Sequence, residues 1–442
     1  MSDDTAQKKS PAAGREERVL EFWRKNGIFE KTLQKPAPRG EFVFYDGPPF
    51  ANGLPHYGHL LASFIKDAIP RYKTMRGFRV PRRWGWDCHG LPVENLVEKE
   101  LRLASRKDIE LYGVDRFNEA ARGSVMRFAD EWREHIARIG RFVDMNNDYR
   151  TMDALYTESV WWAFKTLHLK GLIYEGFKPM HICPRCETTL SNFEVSQGYQ
   201  EIKDVSVYVR FPLERDGSVF FLVWTTTPWT LPGNAALAVN PSVLYAQVKI
   251  GPNQYILAKE RLSVIKDKYE LVAEMSGRAL VGEGYRPLFD YYENARIPGM
   301  ENAFRVYAAD FVTTGEGTGV VHIAPAFGED DFKLGEEKRL PFIQHVSLNG
   351  RFKPEVRDFR GLPVKPKDDP QRTDRKIVEY LSDRLSLYAS EEVAHPYPHC
   401  WRCATPLLNY AASSWFVKVT AIKNKLCAEN KNINWVPPAI GK

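Results

Sequence analysis

Two Cys-x-x-Cys pairs separated by a long stretch of chain place the strongest constraint on how this sequence can fold. They are Cys183-Pro184-Arg185-Cys186 and Cys400-Trp401-Arg402-Cys403. The spacing within each pair lets two thiolates reach one tetrahedral Zn²⁺ from a tight turn. One zinc ion bound by all four thiolates would pin together the incoming and outgoing strands of an inserted domain, residues 187–399. Because closing so long a loop costs chain entropy, a metal clip at that point is physically sensible.

Two unrelated, reduced cysteine pairs are the alternative interpretation. Nearby histidines offer substitute ligands, although four thiolates make the simpler set; these histidines are His181, His395 and His399. The two other cysteines, Cys88 and Cys427, have no partner at this spacing and are interpreted as packing residues.

Length and composition favour a cytoplasmic protein of two or three domains. A chain of 442 residues exceeds what one core usually organises, and its 43% hydrophobic fraction and 11 tryptophans indicate real cores. The sequence has no long apolar run and begins Met1-Ser2-Asp3-Asp4, so it predicts neither a membrane span nor a secretion signal. In such a chain cysteine pairs indicate metal ligands before disulfides. The net charge of +6 permits a nucleic-acid partner without demanding one.

A second constraint is the stretch 44–59, which reads Phe44-Tyr45-Asp46-Gly47-Pro48-Pro49-Phe50-Ala51-Asn52-Gly53-Leu54-Pro55-His56-Tyr57-Gly58-His59. An apolar run, a break at Gly-Pro-Pro and a turn at Asn-Gly precede two histidines, and a helical pattern follows. This order predicts a strand, a loop and a helix N-terminus, where backbone N–H groups and the helix dipole favour phosphate. His56 and His59 would add donors to a triphosphate, and Gly58 would let a flat base lie against the backbone. A capped helix with two ordinary histidines is the alternative.

Periodicity predicts a helical first part and a β-rich later part. Residues 1–14 are predicted to be loose, residues 15–34 to form one amphipathic helix, and the helix after His59 to run towards Pro70. Residues 96–170 have a helical period, and residues 161–172 are predicted to form a buried helix. A β-rich block extends from residue 199 to about 392, with strands predicted at 205–211, 219–224, 243–250 and 319–324.

Two polar segments inside the β-rich block favour a second site. The first is Trp224-Thr225-Thr226-Thr227-Pro228-Trp229-Thr230-Leu231-Pro232-Gly233-Asn234. The second runs from Glu316 through His322 to Asp331. A threonine run alone is explained by β-propensity and turn chemistry. Because the second segment accompanies the threonine run, a functional site becomes the favoured interpretation over a simple turn.

The stretch 44–59 and a later one together resemble class I aminoacyl-tRNA synthetases, and within that class the isoleucine-specific members. The later stretch is Gly85-Trp86-Asp87-Cys88-His89-Gly90-Leu91-Pro92-Val93-Glu94. Valine- and leucine-specific members differ at both places, and Tyr57 departs from the aliphatic residue of the familiar signature. The two polar segments resemble the threonine-rich and aspartate motifs of the editing domain that these three kinds of synthetase share.

The resemblance implies an α/β fold: the first half of a class I Rossmann-type catalytic domain, interrupted by a β-rich editing (connective-peptide) insertion with a zinc knuckle. The implied divisions are 1–172 for the N-terminal segment and first catalytic half, 173–198 and 393–412 for zinc-binding strands, 199–392 for editing, and 413–442 for the return towards the catalytic domain. The family's second signature, Lys-Met-Ser-Lys-Ser, does not occur here. We therefore expect an N-terminal portion of such an enzyme.

The resemblance also assigns the residues of the synthetic site. ATP with Mg²⁺ would be bound by Gly47, Pro48, His56, Gly58 and His59. The two histidines would be catalytic, because they stabilise the departing pyrophosphate. L-Isoleucine would be bound by Pro48, Asp87 and Glu94, with Asp87 on the α-ammonium. A loop-capping role is the alternative for Asp87.

The editing residues follow from the same resemblance. Those implied are Thr225, Thr226, Thr227, Thr230, Asn234, His322 and Asp331. The threonine hydroxyls would orient water and the terminal ribose, and His322 would contact the tRNA end or the small side chain. Asp331 would bind the α-ammonium of the wrong aminoacyl ester. It is preferred over Asp330 because the family places its aspartate directly before the aromatic residue, here Phe332.

These roles imply an ATP-dependent enzyme that joins L-isoleucine to tRNA(Ile) and hydrolyses mischarged valyl-tRNA(Ile). Editing is needed because one methylene separates the two amino acids, and an apolar pocket discriminates that weakly. We expect a cytoplasmic monomer with no membrane partner, in which this chain alone retains editing but little activation. The alternatives are a freestanding hydrolase of mischarged tRNA, a valine-specific synthetase, and a plain nucleotidyltransferase; the editing motifs and the cysteine pairs argue against the last.

Overall fold

The computed structural model describes residues 9–104 and 106–441, and the chain divides into two compact units with a boundary between Ile173 and Tyr174. Helices dominate the first unit and sheets the second. None of the helices in the described ranges has the length and apolar character that a membrane crossing requires. The finer division at 198, 392 and 412 stays a prediction.

The first unit is a set of helices around a small aromatic core. Its helices are α1 (Pro11–Lys25), α2 (Ile28–Gln34), α3 (Tyr57–Met75), α4 (Leu91–Leu101), α5 (Arg106–Tyr112), α6 (Val114–Ser124), α7 (Ala129–Arg138) and α8 (Ala154–Leu169). The strands β1 (Arg83–Trp86) and β2 (Asp144–Arg150) pair in parallel. Trp84 and Trp86 pack edge-on at 5.5 Å, and both face Trp132. Trp132 also packs edge-on against His59 at 4.7 Å. This core therefore supports the start of α3.

Several helical predictions for the first unit are wrong in detail. Residues 15–34 form two helices, because Gly27 adopts a left-handed conformation with φ 55° between them. The helix α1 already begins at Pro11, capped by the Ser10 hydroxyl, so residues 11–14 are helical; residues 1–8 lie outside the described residues. The helix α3 continues through Pro70 to Met75, and the Thr74 hydroxyl donates to the Pro70 carbonyl at 2.8 Å.

The strand predicted at the start of stretch 44–59 is also wrong. Among the described residues this stretch has only one isolated bridge, Phe50 with Asp87, and another, Glu41 with Arg79, lies just before it. Pro48 and Pro49 carry no N–H group, so a regular ladder cannot pass through them. The helical period predicted for 96–170 likewise misses the strand β2.

The helix predicted at 161–172 exists as α8, but it is not buried. Trp161 and Trp162 are 71% and 69% exposed, and within this described helix no residue is buried. Apolar residues lie all around the helix, so the sequence suggests burial without defining a stripe that faces a core.

The second unit contains the β-rich block. Its strands are β3 (Ile173–Cys183), β4 (Thr188–Thr189), β5 (Tyr199–Pro212), β6 (Val219–Thr225), β7 (Ala236–Val239), β8 (Leu244–Ile250), β9 (Asn253–Ala258), β10 (Glu270–Ser276), β11 (Val306–Ala308), β12 (Val320–Ile323), β13 (Leu387–Pro398) and β14 (Leu408–Val417). Its helices are α9 (Asn192–Ser196), α10 (Gly277–Leu280), α11 (Glu329–Lys338), α12 (Arg372–Asp383) and α13 (Lys423–Asn430). The predicted strands at 205–211, 219–224, 243–250 and 319–324 are confirmed as β5, β6, β8 and β12.

The strands of the second unit form separate sheets. In the described part of the chain the largest has the order β10-β8-β9-β6-β5-β13, and two smaller ones have the orders β11-β7-β12 and β14-β3-β4. The large sheet is covered on both faces: Val207 and Val209 of β5 belong to one buried cluster, while Tyr208 belongs to another with Leu222. Two covered faces explain why β6 reads as a continuous apolar run.

The strands β5 and β13 form a long antiparallel ribbon that ends beside the cysteine pairs. Its register runs from Leu387 opposite Val209 to Pro398 opposite Tyr199. Beyond it, the His399 N–H donates to the Gly198 carbonyl at 2.8 Å. A Cβ at Gly198 would lie 1.9 Å from the His399 carbonyl oxygen, so a glycine is required for this approach. The ribbon brings together the chain segments that precede and follow the block.

Candidate active sites and metal centre

The start of α3 holds both histidines of stretch 44–59 by their Nδ1 atoms. His56 Nδ1 accepts from the Gly58 N–H at 3.1 Å, and His59 Nδ1 accepts from the His56 N–H at 3.2 Å. These bonds form a reciprocal cap of the helix. Because Nδ1 is the acceptor in each ring, the neutral tautomer carries its proton on Nε2. Two Nε2–H donors are thus fixed at a helix N-terminus.

The two imidazoles lie against each other with centroids 3.7 Å apart. Burial lowers the pKa of His59, and the nearby His56 lowers it further. Gly58 has a steric reason beyond access for a base, because a Cβ there would lie 2.9 Å from His56 Cε1. The glycine lets the His56 ring lie over the backbone.

A cavity of about 460 Å³ opens beside these histidines. It is lined by the loop that includes Gly47 and Pro48, by His56 and His59, and by Lys66 and Arg141. Both cations form ion pairs with Asp46. The cavity therefore combines imidazole donors with two cations, a set suited to an anionic ligand.

The other residues predicted for amino-acid binding lie outside the set that lines this cavity. The Asp87 N–H donates to the Pro49 carbonyl at 2.9 Å, which ties Asp87 to the loop. The Asp87 carboxylate accepts from the His89 N–H at 3.4 Å, as a loop cap would. Glu94 is exposed in the first turn of α4.

The four paired cysteines converge in the second unit. Their sulfur atoms all lie within 4.8 Å of one another, with Cys183 Sγ 3.5 Å and Cys186 Sγ 3.8 Å from Cys403 Sγ. Sulfurs around a tetrahedral zinc with Zn–S bonds of about 2.3 Å lie roughly 3.8 Å apart. The donor set therefore fits Zn²⁺. The nearby histidines bond elsewhere: His395 contacts Asp204, and His399 contacts the Tyr397 carbonyl.

The threonine-rich segment forms a hydroxyl cluster where β6 ends. Thr225 Oγ1 lies 3.3 Å from Thr227 Oγ1, which lies 3.3 Å from Thr230 Oγ1. The Thr230 hydroxyl donates to the Thr227 carbonyl at 2.8 Å. Because that bond uses its proton, Thr230 Oγ1 accepts from His322 Nε2–H at 2.8 Å. The structure thus joins the two polar segments through Thr230 and His322.

His322 is a neutral imidazole in this cluster. Burial, with a smaller effect of His345, lowers its pKa to about 4. Its Nδ1 makes no hydrogen bond to any described residue. With the proton on Nε2, this nitrogen is a bare acceptor.

Asp331 lies in the first turn of α11, just after β12. Its carboxylate accepts from the Ala324 N–H at 2.8 Å. Burial raises the pKa of Asp331 to about 6, against the opposing effect of that hydrogen bond. The neighbouring Asp330 is 60% exposed and lies 3.7 Å from Lys333. The two adjacent carboxylates therefore occupy different environments.

Two other predicted editing residues lie outside these hydrogen bonds. Thr226 is partly buried. Asn234 is buried, and its amide bonds to the Ala236 carbonyl at 2.9 Å and to the Tyr285 hydroxyl at 2.6 Å. Through these two hydrogen bonds, Asn234 fixes the turn that follows the threonines.

The family model described as tRNA synthetases class I (I, L, M and V) matches residues 18–442. The chain belongs to this family.

Two relatives show how far the similarity to class I tRNA synthetases extends. The isoleucine–tRNA ligase of Treponema denticola is 46% identical over 461 residues, covering 97% of this chain and 41% of the relative. That of Chlamydia pneumoniae is 46% identical over 437 residues, covering 98% of this chain and 41% of the relative. This chain thus spans about two fifths of the length of these relatives. A LeuRS structure from Agrobacterium radiobacter K84 in complex with tRNA and LeuAMS has a TM-score of 0.31 and 17% identity, covering 87% of this chain and 50% of that chain.

The predicted family and the mixed α/β fold class are confirmed by the family match and the observed elements. Sequence reasoning missed two residues that line the cavity beside His56 and His59. Lys66 lies seven positions after His59 on the same helix, so helical spacing contained a signal for it. Arg141 lies far along the chain, and no spacing indicated it.

Proposed function

We propose that this chain carries the nucleotide-binding and editing sites of an isoleucine–tRNA ligase. Such an enzyme activates L-isoleucine with ATP, transfers it to tRNA(Ile) and hydrolyses valyl-tRNA(Ile). The observation that carries the proposal is the joined cluster of Thr225, Thr227, Thr230 and His322, which lies in the same chain as a donor-rich nucleotide cavity.

In the nucleotide cavity, the ligand is ATP and the reaction is attack of the isoleucine carboxylate on the α-phosphorus. The Nε2–H groups of His56 and His59 donate to phosphate oxygens, where negative charge grows as pyrophosphate leaves. Lys66 and Arg141 attract the triphosphate. Mg²⁺ bound with ATP would neutralise part of the phosphate charge. Gly47 and Pro48 shape the cavity wall, while Asp87 would bind the α-ammonium and Glu94 the adenylate.

In the editing site, hydrolysis of the ester needs an oriented water and an anchored substrate. The hydroxyls of Thr225, Thr226 and Thr227 orient the water and the terminal ribose. The bare Nδ1 of His322 offers an acceptor to a hydroxyl group of the tRNA end. Asp331 binds the α-ammonium as a carboxylate. Asn234 keeps the turn of the threonine segment in place.

The metal centre has a structural role in this proposal. Cys183, Cys186, Cys400 and Cys403 would hold Zn²⁺ with all four positions occupied by protein ligands, which leaves none for a substrate.

Deacylation by this chain tests the proposal. We expect valyl-tRNA(Ile) to be hydrolysed faster than isoleucyl-tRNA(Ile), measured in single turnover with excess protein to compensate for weak tRNA binding. Uncatalysed hydrolysis of both esters gives the baseline. Equal rates for the two, or no rate above the baseline, would contradict the editing assignment.

The nucleotide site is tested separately through His59. Loss of a hydrogen bond to a charged phosphate is expected to weaken binding of ATP with Mg²⁺ by roughly 10- to 100-fold in His59→Ala, as measured by calorimetric titration. The matched control is His168→Ala, which changes an exposed histidine on α8. Equal affinities of the His59 variant and wild type would remove His59 from the phosphate site.

A further inference from the structure

His345, a histidine outside both polar segments, contacts the threonine-rich segment through Trp229. It is fully buried, and its Nε2 lies 2.9 Å from the Trp229 carbonyl oxygen. Because a carbonyl only accepts, the ring carries its proton on Nε2. Burial lowers the pKa of His345 to about 4, so the ring stays neutral. Trp229 lies between Thr227 and Thr230 in the 3₁₀ turn Pro228–Gly233.

The His345 ring also contacts the segment that joins His322 to Asp331. It packs edge-on against Phe327, with centroids 4.6 Å apart at 65°. Phe327 in turn packs edge-on against Trp229 at 5.3 Å. On its other side the His345 ring lies 5.8 Å from Phe352, nearly parallel to it. His345 thus touches both editing segments at once.

The backbone of the turn is fitted to this imidazole. A Cβ at Gly233 would lie 2.2 Å from His345 Nδ1, so the last residue of the turn must be glycine. The Ile343 backbone also acts on this ring, but no hydrogen bond of ordinary geometry joins His345 Nδ1 to a described residue. The Trp229 carbonyl therefore receives the ring's one well-formed hydrogen bond.

The hydrogen bond from His345 to Trp229 acts on the adjacent Thr230, whose bond to His322 links the two polar segments. Thr230 follows Trp229 directly, and its N–H and hydroxyl both donate to the Thr227 carbonyl, at 3.0 and 2.8 Å. The remaining capacity of Thr230 Oγ1 accepts from His322. Without the His345 donor, the buried Trp229 carbonyl would have to turn to find a partner, and Thr230 would turn with it.

We propose that His345 is a positioning residue for deacylation: it holds the Trp229 carbonyl so that Thr230 and His322 keep their hydrogen bond. This inference rests on the editing assignment above. His345 touches no group that reacts, so the affinity for the ester, which Asp331 provides, is independent of it.

The test compares two substitutions at this position by single-turnover deacylation of valyl-tRNA(Ile). His345→Leu has similar volume but no donor. We expect its maximal rate to fall by roughly 10- to 100-fold, while the protein concentration for half-maximal rate stays within about two-fold of wild type. His345→Gln places an amide N–H near the former Nε2 position and is expected to restore the rate to within about three-fold. A Gln variant as slow as the Leu variant would overturn the proposal.

Val356→Ala is the control for a general loss of stability, because it removes volume from the same buried core at a fully buried residue. We expect this variant to lose thermal stability while keeping the maximal rate. A rate loss equal to that of His345→Leu would reduce His345 to a packing residue and overturn the proposal.

A second measurement separates this inference from the editing assignment. In ¹⁵N-histidine-labelled protein, the His322 Nε2 resonance reports its hydrogen bond to Thr230 without any substrate. We expect it to shift in His345→Leu and to stay near the wild-type position in His345→Gln. If wild type shows no deacylation, the editing assignment fails while this readout still decides the role of His345. An unchanged His322 resonance in His345→Leu would overturn that role.

Discussion

Deacylation of valyl-tRNA(Ile) is expected to fall by more than about 30-fold when Asp331 is replaced with alanine, because truncating one partner of a buried charge pair costs about 2–5 kcal/mol. The carboxylate is held in place by the Ala324 N–H, so it is fixed before the substrate arrives. The variant should also lose its preference for a free amino group. The measurement is single-turnover hydrolysis of valyl-tRNA(Ile) and N-acetylvalyl-tRNA(Ile) by both proteins.

The adjacent carboxylate supplies the control. Asp330→Ala removes a side chain that is 60% exposed and faces Lys333, so its rate should match wild type. Equal loss in the two variants would mean that general charge, and not the Asp331 contact, governs the rate.

The pH dependence gives an independent check on Asp331. Its pKa is raised to about 6 by burial, so the carboxylate that we propose binds the ammonium becomes protonated as pH falls through 6. In the unfolded chain the pKa of an aspartate is about 3.9. Asp331 therefore contributes to the stability of the fold fully below that pH, and this contribution is lost as pH rises through 6. Asp331→Asn, which keeps an acceptor for the Ala324 N–H, should therefore be slow at all pH values and no less stable at pH 7. A wild-type rate that stays constant from pH 5 to 7 would contradict this assignment.

Removing the zinc ion proposed for the four cysteines is expected to cause the largest loss of stability. Cys183 and Cys403 are 220 positions apart, and a cross-link closing a loop of that size is worth about 5 kcal/mol of chain entropy. At about 2–4 °C per kcal/mol, the second unit should melt at least 10 °C lower after chelation or in Cys403→Ser. Calorimetry and metal analysis measure the melting temperature and the zinc content, which should be one ion per chain.

The unpaired cysteines are the matched controls for the metal. Cys88→Ser and Cys427→Ser remove thiols outside the sulfur cluster, so both variants should keep the full zinc content. Zinc loss in either control, or full retention in Cys403→Ser, would refute a shared four-cysteine site.

The sequence predicted features that a recognisable spacing or periodicity signals, and it missed side chains that no such pattern connects to their partners. The helix start at His56, the converging cysteines and the β-rich block all follow from spacing or periodicity. Arg141 reaches the nucleotide cavity only through the fold, and nothing near it in the sequence points there. His345 looks like an ordinary residue of a loop until Trp229 and Phe327 are placed around it.

Errors in the element predictions have the same origin. Trp161 and Trp162 are apolar enough for a core, yet no periodic stripe says which face of α8 would be covered. Local rules predict a helix end at Pro70, but α3 continues through it, and the Thr74 hydroxyl donates to the Pro70 carbonyl.

The ribbon of β5 and β13 has a consequence for how this architecture arises and is lost. Val209 and Leu387 face each other across the ribbon, so the chain leaves and returns at nearly the same point in space. The distance between these two positions is one that a turn of a few residues spans in a plain hairpin. Residues 210–386 therefore form one excursion of the chain whose two ends lie side by side, and Lys365 of this excursion is paired with the buried Asp204 of the ribbon. A ribbon of this kind lets a long insertion enter and leave a chain at one place, so the flanking strands stay paired whatever length of chain lies between them.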